Sequence, residues 1–332
     1  MKKILLTALI AGFSTASLAQ VSIYGLADAY FGTTKNATST TKVDSGGMST
    51  SHIGFRATEK LGDITATATL ETFLRPDTAA TGRFNGDAFY ARNAYVGLSS
   101  KAGEVQLGRV TTPMFISTVA FNSFGDSFTF SPIVTTRFGL NNFNLAAGGT
   151  DSGWNNSILA KTNMGPVTVT GIYSAGITDD ASGTTQSGKS IGAMMFQGPI
   201  GLTATWQEVE QGAGRPNMSA TIVGASYAIN NAKLFAQYNR VQNSDQATKE
   251  DQGYSVGASI KLSNVNTAMI SYSKHEHTFI SAPQAETSSW AVGVQHSMSK
   301  RTDVYAAVRD TSYTHAGWTD TKVMGAGIRH RF

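Results

Sequence analysis

The chain has 332 residues, no cysteine, 34 glycines and a formal net charge of +4 at pH 7, and only 14% of its residues are charged. Soluble domains usually carry about 25% charged residues, so this composition argues against an ordinary soluble globular protein. The lack of cysteine excludes disulfides, thiol catalysis and cysteine-ligated zinc, and the near balance of basic and acidic side chains gives no indication of nucleic-acid binding.

The N-terminus has the pattern of a cleaved signal peptide. Two lysines precede an apolar run at residues 4–13, and the small residues Ser17 and Ala19 follow at the positions expected before a cleavage point. The run is shorter than the roughly 18 apolar residues that span a bilayer, which argues against a membrane anchor. We therefore expect residues 1–19 to be removed after export and residues 20–332 to form a single domain.

Odd-even alternation of apolar and polar residues indicates β-strands along the mature chain. In residues 64–75 the apolar side chains occupy one register, while threonines, Glu71 and Arg75 occupy the other; residues 254–263 separate completely in the same way. Segments of about ten residues suit tilted membrane strands, whereas strands of soluble proteins are usually nearer about five or six. The polar register, rich in Ser, Thr and Gly, suits a water-filled interior.

The connections between the predicted strands alternate in length. Seven are short and eight are long, which predicts sixteen strands, although weak alternation near 189–197 and 201–209 leaves the count open by two. Short turns at one end and long loops at the other are typical of antiparallel transmembrane β-barrels of the outer membrane. The predicted short turns are 61–63, 101–103, 165–166, 198–199, 230–231, 263–264 and 299–300, and the predicted long loops are 34–47, 76–86, 113–151, 176–188, 211–217, 243–251, 278–286 and 314–319.

The first and last strands must pair, because an open sheet edge in hydrocarbon would leave backbone groups without partners. These strands are predicted at 21–33 and 320–332. In the last strand, every second residue back from Phe332 is mostly apolar, and Arg329 and Arg331 fill the other register. A basic side chain facing lipid at mid-membrane costs about 2–4 kcal/mol. We therefore expect the Phe332 register to face lipid, with Phe332 in the interfacial aromatic girdle, and the arginine register to face water.

The connection at residues 113–151 is the longest, with 39 residues and no sustained alternation. A loop of this length is usually functional or disordered. It contains seven phenylalanines, which need a surface to pack against, so we predict that it folds into the barrel and narrows it; an aromatic-rich surface loop is the alternative. Asp126 is its one acidic residue before position 151 and is expected to face the opening.

Charged residues in the water-facing register are candidates for the opposite side of the narrowing, because rings of charge set selectivity in pores. Part of this set is expected to consist of solvated side chains away from the narrowest point. Alternation with their neighbours places the following residues inward: Asp28, Arg56, Glu71, Arg75 and Lys161.

Five stretches, in their order and spacing, carry a family resemblance: VSIYGLADAY (21–30), GFRATEKLGD (54–63), YARNAYVGLSSKAGEVQLGRV (90–110), NNSILAKTNMGPVTVTGIYS (155–174) and GIRHRF (327–332). Over its whole mature length the chain resembles the trimeric general porins of Gram-negative outer membranes, in particular the beta-proteobacterial type. The resemblance implies a homotrimer of sixteen-stranded barrels in the outer-membrane lipid, with the third loop folded into the lumen. It also implies passive diffusion of ions and small hydrophilic solutes, and recognition of the C-terminal Phe332 by the barrel-assembly machinery.

The resemblance further implies a basic cluster on the pore wall. Arg92 matches a basic wall position, although its register with Val96 and Leu98 predicts the lipid side unless the strand end bends. His52 stands where such porins often carry arginine, and histidine is mostly neutral at pH 7. We therefore predict weak, mildly anionic selectivity.

Enzymatic functions find little support. No G-x-S-x-G nucleophile elbow occurs, and the GAG stretches at 212–214 and 325–327 lack the context of a phosphate loop. His275 and His277 lie two residues apart on one strand face, at a predicted loop edge; this spacing could bind a metal, but we expect neither a metal nor a cofactor. The alternatives to a general pore are a substrate-specific outer-membrane channel, an adhesin-like barrel, a barrel protease or lipase, and a soluble secreted β-protein.

Overall fold

The computed structural model describes residues 20–138, 151–177, 186–211, 214, 216–243 and 248–332. The predicted signal peptide and part of the predicted constriction loop, residues 139–150, lie outside the described residues. None of the helices within the described ranges is long and apolar enough to cross a membrane.

The described residues form eighteen strands and two short helices. The strands are β1 (Gln20–Lys35), β2 (Ser39–Ser45), β3 (His52–Leu61), β4 (Ile64–Arg75), β5 (Ala80–Thr81), β6 (Asn93–Ser100), β7 (Gly103–Thr111), β8 (Gly153–Met164), β9 (Val167–Ser174), β10 (Gly188–Gln197), β11 (Ile200–Val209), β12 (Met218–Ile229), β13 (Ala232–Gln242), β14 (Thr248–Lys261), β15 (Asn266–Phe279), β16 (Ala285–Ser297), β17 (Thr302–Tyr313) and β18 (Thr321–Arg331). The helices are α1 (Pro113–Ala120) and α2 (Pro132–Phe138).

The eighteen strands build a closed antiparallel wall of sixteen strand positions. β2 and β3 pair with successive parts of β1 and act as one wall strand, and β5 is a two-residue strand that pairs only with the end of β4. The wall closes where β1 pairs with β18. At this seam the N–H of Gly25 donates to the carbonyl of Phe332 and the N–H of Phe332 to the carbonyl of Gly25, both at 3.1 Å. The predicted strand count and the predicted pairing of first and last strands are therefore confirmed.

The short turns lie where the sequence placed them. Gly165 and Gly198 occupy two of these tight turns with φ of 63° and 57°, a left-handed conformation that glycine adopts without steric cost. The predicted long loop at 34–47 is wrong, because β1 continues to Lys35 and β2 returns from Ser39. This stretch is rich in threonine, whose branched side chain favours strands, although its polarity suggested a loop.

The two faces of the wall differ as predicted. The outward side chains are apolar and exposed, as at Val96, Ile270 and Ile328, and Phe332 is 44% exposed on the same outer face. The ring of Phe332 packs over Gly25, where an added Cβ would lie 2.5 Å from it. Arg329 points inward and is only 8% exposed, so the arginine register of the last strand faces the lumen.

Candidate functional site

The connection between β7 and β8 is here called loop 3 (residues 112–152), and its described part at residues 112–138 folds against the inner wall. α1 begins at Pro113, and the Oγ1 of the preceding Thr112 accepts the N–H of Phe115 at 3.2 Å, a favourable N-cap with proline in the first turn. The Oγ of Ser117 then lies 2.7 Å from the Oγ1 of Thr205 on β11. Loop 3 is thereby held by neutral hydrogen bonds to inward side chains.

Aromatic packing fixes the tip of loop 3. Phe121, Phe124 and Phe130 are each at most 2% exposed. The ring of Phe130 meets those of Tyr30 on β1 and Tyr305 on β17 edge-on, with centroid distances of 5.6 and 6.4 Å. These contacts give the phenylalanines the packing surface that the sequence required.

Hydrogen bonds add to this packing at the tip. The Oγ of Ser127 donates to the carbonyl of Gly47 at 2.6 Å, and the Nε of Arg309 on β17 donates to the carbonyl of Thr129 at 2.8 Å. The loop therefore bridges the lumen from the β9–β12 side to the β15–β17 side.

Between loop 3 and the uncovered wall lies a cavity of about 690 Å³, here called the constriction cavity. The wall at β4 and the residues that follow it contribute basic side chains, and loop 3 contributes apolar side chains and the acids Asp126 and Asp151. The lining residues relevant to function are Arg75, Arg83 and Arg92 on the wall side, and Phe115, Ile116, Val119 and Asp126 on the loop side.

Asp126 faces this cavity and is connected to the barrel seam. Its Oδ1 accepts the Oγ–H of Ser49 at 2.9 Å, and the Oγ of Ser49 accepts an N–H of Arg329 at 2.7 Å. Both Arg329 and Arg331 contact Asp303, at 3.2 and 3.1 Å. The inward register of the two arginines was visible in the sequence, but their partners were not identified: Asp303 is the cross-strand neighbour of Arg329 on β17, and Ser49 lies in the turn between β2 and β3.

Glu71 lies on the wall, but its negative charge is largely compensated by neighbouring groups. It is 3% exposed and accepts hydrogen bonds from the hydroxyl of Tyr24 and the amide of Asn93, both at 2.6 Å. It also forms an ion pair with Arg92. Arg92 precedes β6 at a bend of the backbone, and its side chain lies in the lumen against Glu71. The strand-end bend that its predicted wall position required is therefore present, and the alternation read from Val96 does not extend to Arg92.

Arg56 and Arg75 are the least compensated wall cations. The guanidinium of Arg56 lies over the Tyr24 ring, 5.0 Å from its centroid, and that of Arg75 donates to the Oδ1 of Asn85 at 2.8 Å. Among the described residues, neither guanidinium forms an ion pair with a carboxylate. His52 lies on the same face as Arg56, with its Nδ1 3.1 Å from the carbonyl oxygen of Thr50.

Asp28 and Lys161 are placed differently from the other candidates. Asp28 is 0% exposed; it accepts three backbone N–H groups of residues 47–49 at 2.8–3.0 Å and the hydroxyl of Tyr305 at 2.5 Å. It holds the turn between β2 and β3 and does not contact the pore water. Lys161 is 43% exposed and lies 2.5 Å from a carboxylate oxygen of Glu104 on the neighbouring strand.

A compact ion cluster borders the constriction cavity near the end of loop 3. Asp151 contacts Arg83 at 2.6 Å and Arg109 at 2.7 Å, and Arg83 also contacts Asp87 at 2.9 Å. Burial alone would raise the pKa of Asp151, but the guanidinium groups of Arg109 and Arg83 hold this pKa below its usual range. The cluster is balanced, with two arginines and two aspartates.

His275 and His277 lie near the end of β15, which ends at Phe279 beside the predicted loop. They are 1% and 6% exposed on the inner face of β15, beneath α2. Asp251 lies between them, 3.1 Å from one Nδ1 and 3.4 Å from the other. No group of three or more His, Cys, Asp or Glu side chains within the described ranges is arranged to hold a metal ion.

Comparisons with known proteins agree with this architecture. The family model for Gram-negative porins matches residues 6–316. Outer membrane porin protein 32 of Delftia acidovorans is 27% identical over 365 aligned residues, which cover all of both chains. An anion-selective porin from Comamonas acidovorans has a TM-score of 0.78 at 23% identity, covering 95% of this chain and all of that one. The trimer form of OmpT from Vibrio cholerae has a TM-score of 0.71 at 15% identity, covering 95% and 99%.

Proposed function

Because this chain belongs to the Gram-negative porin family, we propose that its constriction cavity gives the pore a weak preference for anions. The protein is an outer-membrane β-barrel that forms a water-filled channel for the passive diffusion of ions and small hydrophilic solutes. It is a channel rather than an enzyme, as its relatives are.

The balance of charges around the pore carries this proposal. Arg56 and Arg75 form no ion pair with a carboxylate of the described chain, and Asp303 is shared by two arginines. Asp126, whose partner is the hydroxyl of Ser49, is the opposing acid. Of the other charged residues that line the cavity, Asp44, Arg83, Arg92 and Asp151 form ion pairs and Arg309 donates to the backbone of loop 3, so a small positive excess remains.

The preference is weak for two reasons. The excess amounts to a few charges facing water, and mobile ions screen them over a Debye length of about 8 Å at physiological ionic strength. In addition, His52 occupies a wall position on the face of Arg56 and is mostly neutral at pH 7. A continuous row of basic side chains along the wall would attract anions more strongly.

The test is the reversal potential across a KCl gradient in planar bilayers, for wild type and for Arg56→Gln, Asp126→Asn and Glu71→Gln. We expect a small anion preference in the wild type. Arg56→Gln should move the potential toward cations, and Asp126→Asn should move it toward anions. Glu71→Gln should also move it toward anions, because it leaves Arg92 uncompensated.

Lys101→Gln is the matched control, since it removes an exposed charge from a short turn at the opposite end of the barrel from loop 3. It should leave the reversal potential unchanged. Wild-type cation preference, or unchanged potentials in all three pore variants, would refute the proposed assignment of the constriction.

We further propose that the protein is a homotrimer. The support is its family, the trimer form of the OmpT fold neighbour, and a depression on the outer wall where the side chains of Ala306 and Ala326 are small and apolar neighbours form part of the rim. Light scattering of the detergent-solubilised protein should give the mass of three chains. The mass of one chain, after correction for detergent, would contradict the trimer.

We also propose that residues 1–19 are cleaved and that Phe332 is the signal for the barrel-assembly machinery. The wall begins at Gln20, and Phe332 is exposed on the outer face at the end of the last wall strand. N-terminal sequencing of the outer-membrane form should begin at Gln20. Phe332→Ala should slow the appearance of folded protein in the outer membrane, whereas equal rates would argue against recognition of the aromatic ring.

A further inference from the structure

Two buried histidines on β15 share one carboxylate beneath loop 3. The Oδ1 of Asp251 lies 3.1 Å from the Nδ1 of His275, and its Oδ2 lies 3.4 Å from the Nδ1 of His277. All three residues are at most 6% exposed, and none of them lines the constriction cavity. These three side chains are here called the Asp–His cluster.

The hydrogen bonds around His275 assign a positive charge to its ring. Its Nε2 lies 3.3 Å from the Oγ1 of Thr136 on α2, and this hydroxyl donates its one proton to the carbonyl of Pro132 at 2.8 Å. The Nε2 therefore donates to the hydroxyl oxygen, while the Nδ1 donates to Asp251. An imidazole ring donates from both nitrogens only when it is protonated.

His277, in contrast, is neutral in its surroundings. Its Nε2 lies 2.9 Å from the hydroxyl oxygen of Thr287 on β16, which donates to it, and its Nδ1 carries the proton that faces Asp251. Its ring also meets the ring of Trp318 edge-on, with centroids 5.1 Å apart. At neutral pH the Asp–His cluster thus holds one imidazolium and one carboxylate, and its net charge is zero.

The charged groups on the other elements packed against the cluster do not compensate a second proton. Arg309 on β17 is itself a cation, donates to the backbone of loop 3 and, among the described side chains, has no carboxylate partner. The connection between β17 and β18 adds His315, whose ring lies 4.9 Å from that of Trp318. Asp320 in the same connection accepts the N–H of Tyr313. The neighbouring charges of β14 and β15 point to the outer face: Glu250, Lys274 and Glu276.

We propose that Asp251, His275 and His277 form a pH-sensitive latch, which holds α2 against the wall and releases it when both histidines are protonated. A second proton would give the buried cluster a net positive charge, and an uncompensated buried charge is costly. Detachment of α2 exposes both rings to water, so the detached state binds two protons where the attached state binds one. A falling pH therefore favours the detached state by linkage.

Detachment of α2 should change the ion current, because loop 3 narrows the channel. The two states differ by one proton, so the ratio of their populations should change by up to about tenfold per pH unit. Histidine ordinarily titrates between about pH 5 and 8, which places the response on the acid side of neutrality. The conductance level reports this response, so the inference does not depend on the sign of the proposed selectivity.

The experiment records single channels in KCl from about pH 8 down to about pH 4, a range that brackets the titration of histidine. The wild type should show one steady level at high pH and reversible transitions to a second level at low pH. His277→Gln removes the second protonation site and keeps an amide N–H for Asp251, so these transitions should become at least about tenfold rarer at low pH. His296→Gln, which removes an exposed imidazole from the outer face, is the matched control and should keep the wild-type response.

Asp251→Asn tests the same latch in the opposite direction. Without the carboxylate, the attached state loses its ion pair and holds fewer protons, so the transitions should begin at a higher pH than in the wild type. A wild-type current that does not change with pH, or a wild-type response in His277→Gln, would overturn the inference.

The charge of His275 can be measured without reference to gating. In NMR spectra of the detergent-solubilised protein with ¹⁵N-labelled histidine, one of the six histidines should have both ring nitrogens protonated at neutral pH. This signal should be missing in His275→Gln. If all six rings of the folded wild type are neutral at this pH, the cluster holds no first proton and the inference fails.

Discussion

The wall that loop 3 covers and the wall that it leaves bare are built from different polar groups. Against loop 3, the inward residues of β11 and β13 are neutral, as at Thr203, Thr205 and Gln237. On the bare side, β3 and β4 carry Arg56 and Glu71. Neutral hydrogen bonds can be buried at little cost, whereas buried charges need partners. The lumen therefore divides into a scaffold half, which positions loop 3, and an electrostatic half, which faces water.

Two buried charged residues of the scaffold half fit this division because each has a partner. Asp251 lies between two histidines, and Arg309 donates to the backbone of loop 3. These charges hold the chain in place instead of facing the permeating solute. Charged residues that hold the chain therefore differ from those that face the solute in solvent exposure and in their hydrogen-bonding or ionic partners, and not in their inward register.

The largest expected effect comes from removing the aromatic anchor of loop 3. Phe130→Ala should destabilise the loop tip by about 3–5 kcal/mol, since a buried ring is replaced by a cavity. Single-channel recordings in KCl should then show a larger and noisier conductance. Phe89→Ala, which removes a ring that is 54% exposed, should leave the conductance unchanged. If Phe130→Ala conducts like the wild type, packing does not hold the scaffold half.

Asp28 tests whether an inward charge can be purely structural. Asp28→Ala leaves three buried N–H groups without an acceptor and should lower the unfolding free energy by about 3 kcal/mol. Asp28→Asn keeps one acceptor oxygen and should cost less. Both are measured by urea unfolding in detergent. The folded fraction of each variant should retain the wild-type KCl reversal potential, whereas a shifted potential at wild-type stability would make Asp28 a pore charge.

Acidification should affect the ion cluster beside the bare wall more than the neutral hydrogen bonds of the scaffold half. The pKa of Asp151 is below its usual range in the folded protein. Its stabilising contribution is therefore complete above about pH 4 and is lost as pH falls through the lower folded-state pKa. At pH 7, Asp151→Asn should cost about 1–3 kcal/mol. Its urea midpoint should then decline less than that of the wild type on acidification.

The control for this pH dependence is Asp63→Asn, which changes an exposed carboxylate in a short turn. Its acid profile should follow that of the wild type. Parallel acid profiles for the wild type and Asp151→Asn would show that the cluster contributes no pH-dependent stability.

The barrel was predictable from the sequence because strand alternation and loop lengths are local properties. Residues 254–263 and the register of Arg329 were assigned correctly for this reason. The partners of inward charges are not local. Nothing near Asp28 in the sequence indicates that Tyr305 and the turn at residues 47–49 bury it. Alternation alone pointed Arg92 toward lipid, and only the family resemblance placed it on the pore wall, because a bend before β6 interrupts the period of two.

The smallest expected effect concerns Lys161, an inward charge of the bare side that already has a partner. Exposed ion pairs contribute about 0–1 kcal/mol, so neither Lys161→Gln nor Glu104→Gln should change stability appreciably. Lys161→Gln should move the KCl reversal potential slightly toward cations and Glu104→Gln slightly toward anions, and the double variant should return close to the wild-type value. A double variant that retains the full shift of Lys161→Gln would mean that Lys161 acts on permeating ions independently of Glu104, which would make it a selectivity residue alongside Arg56.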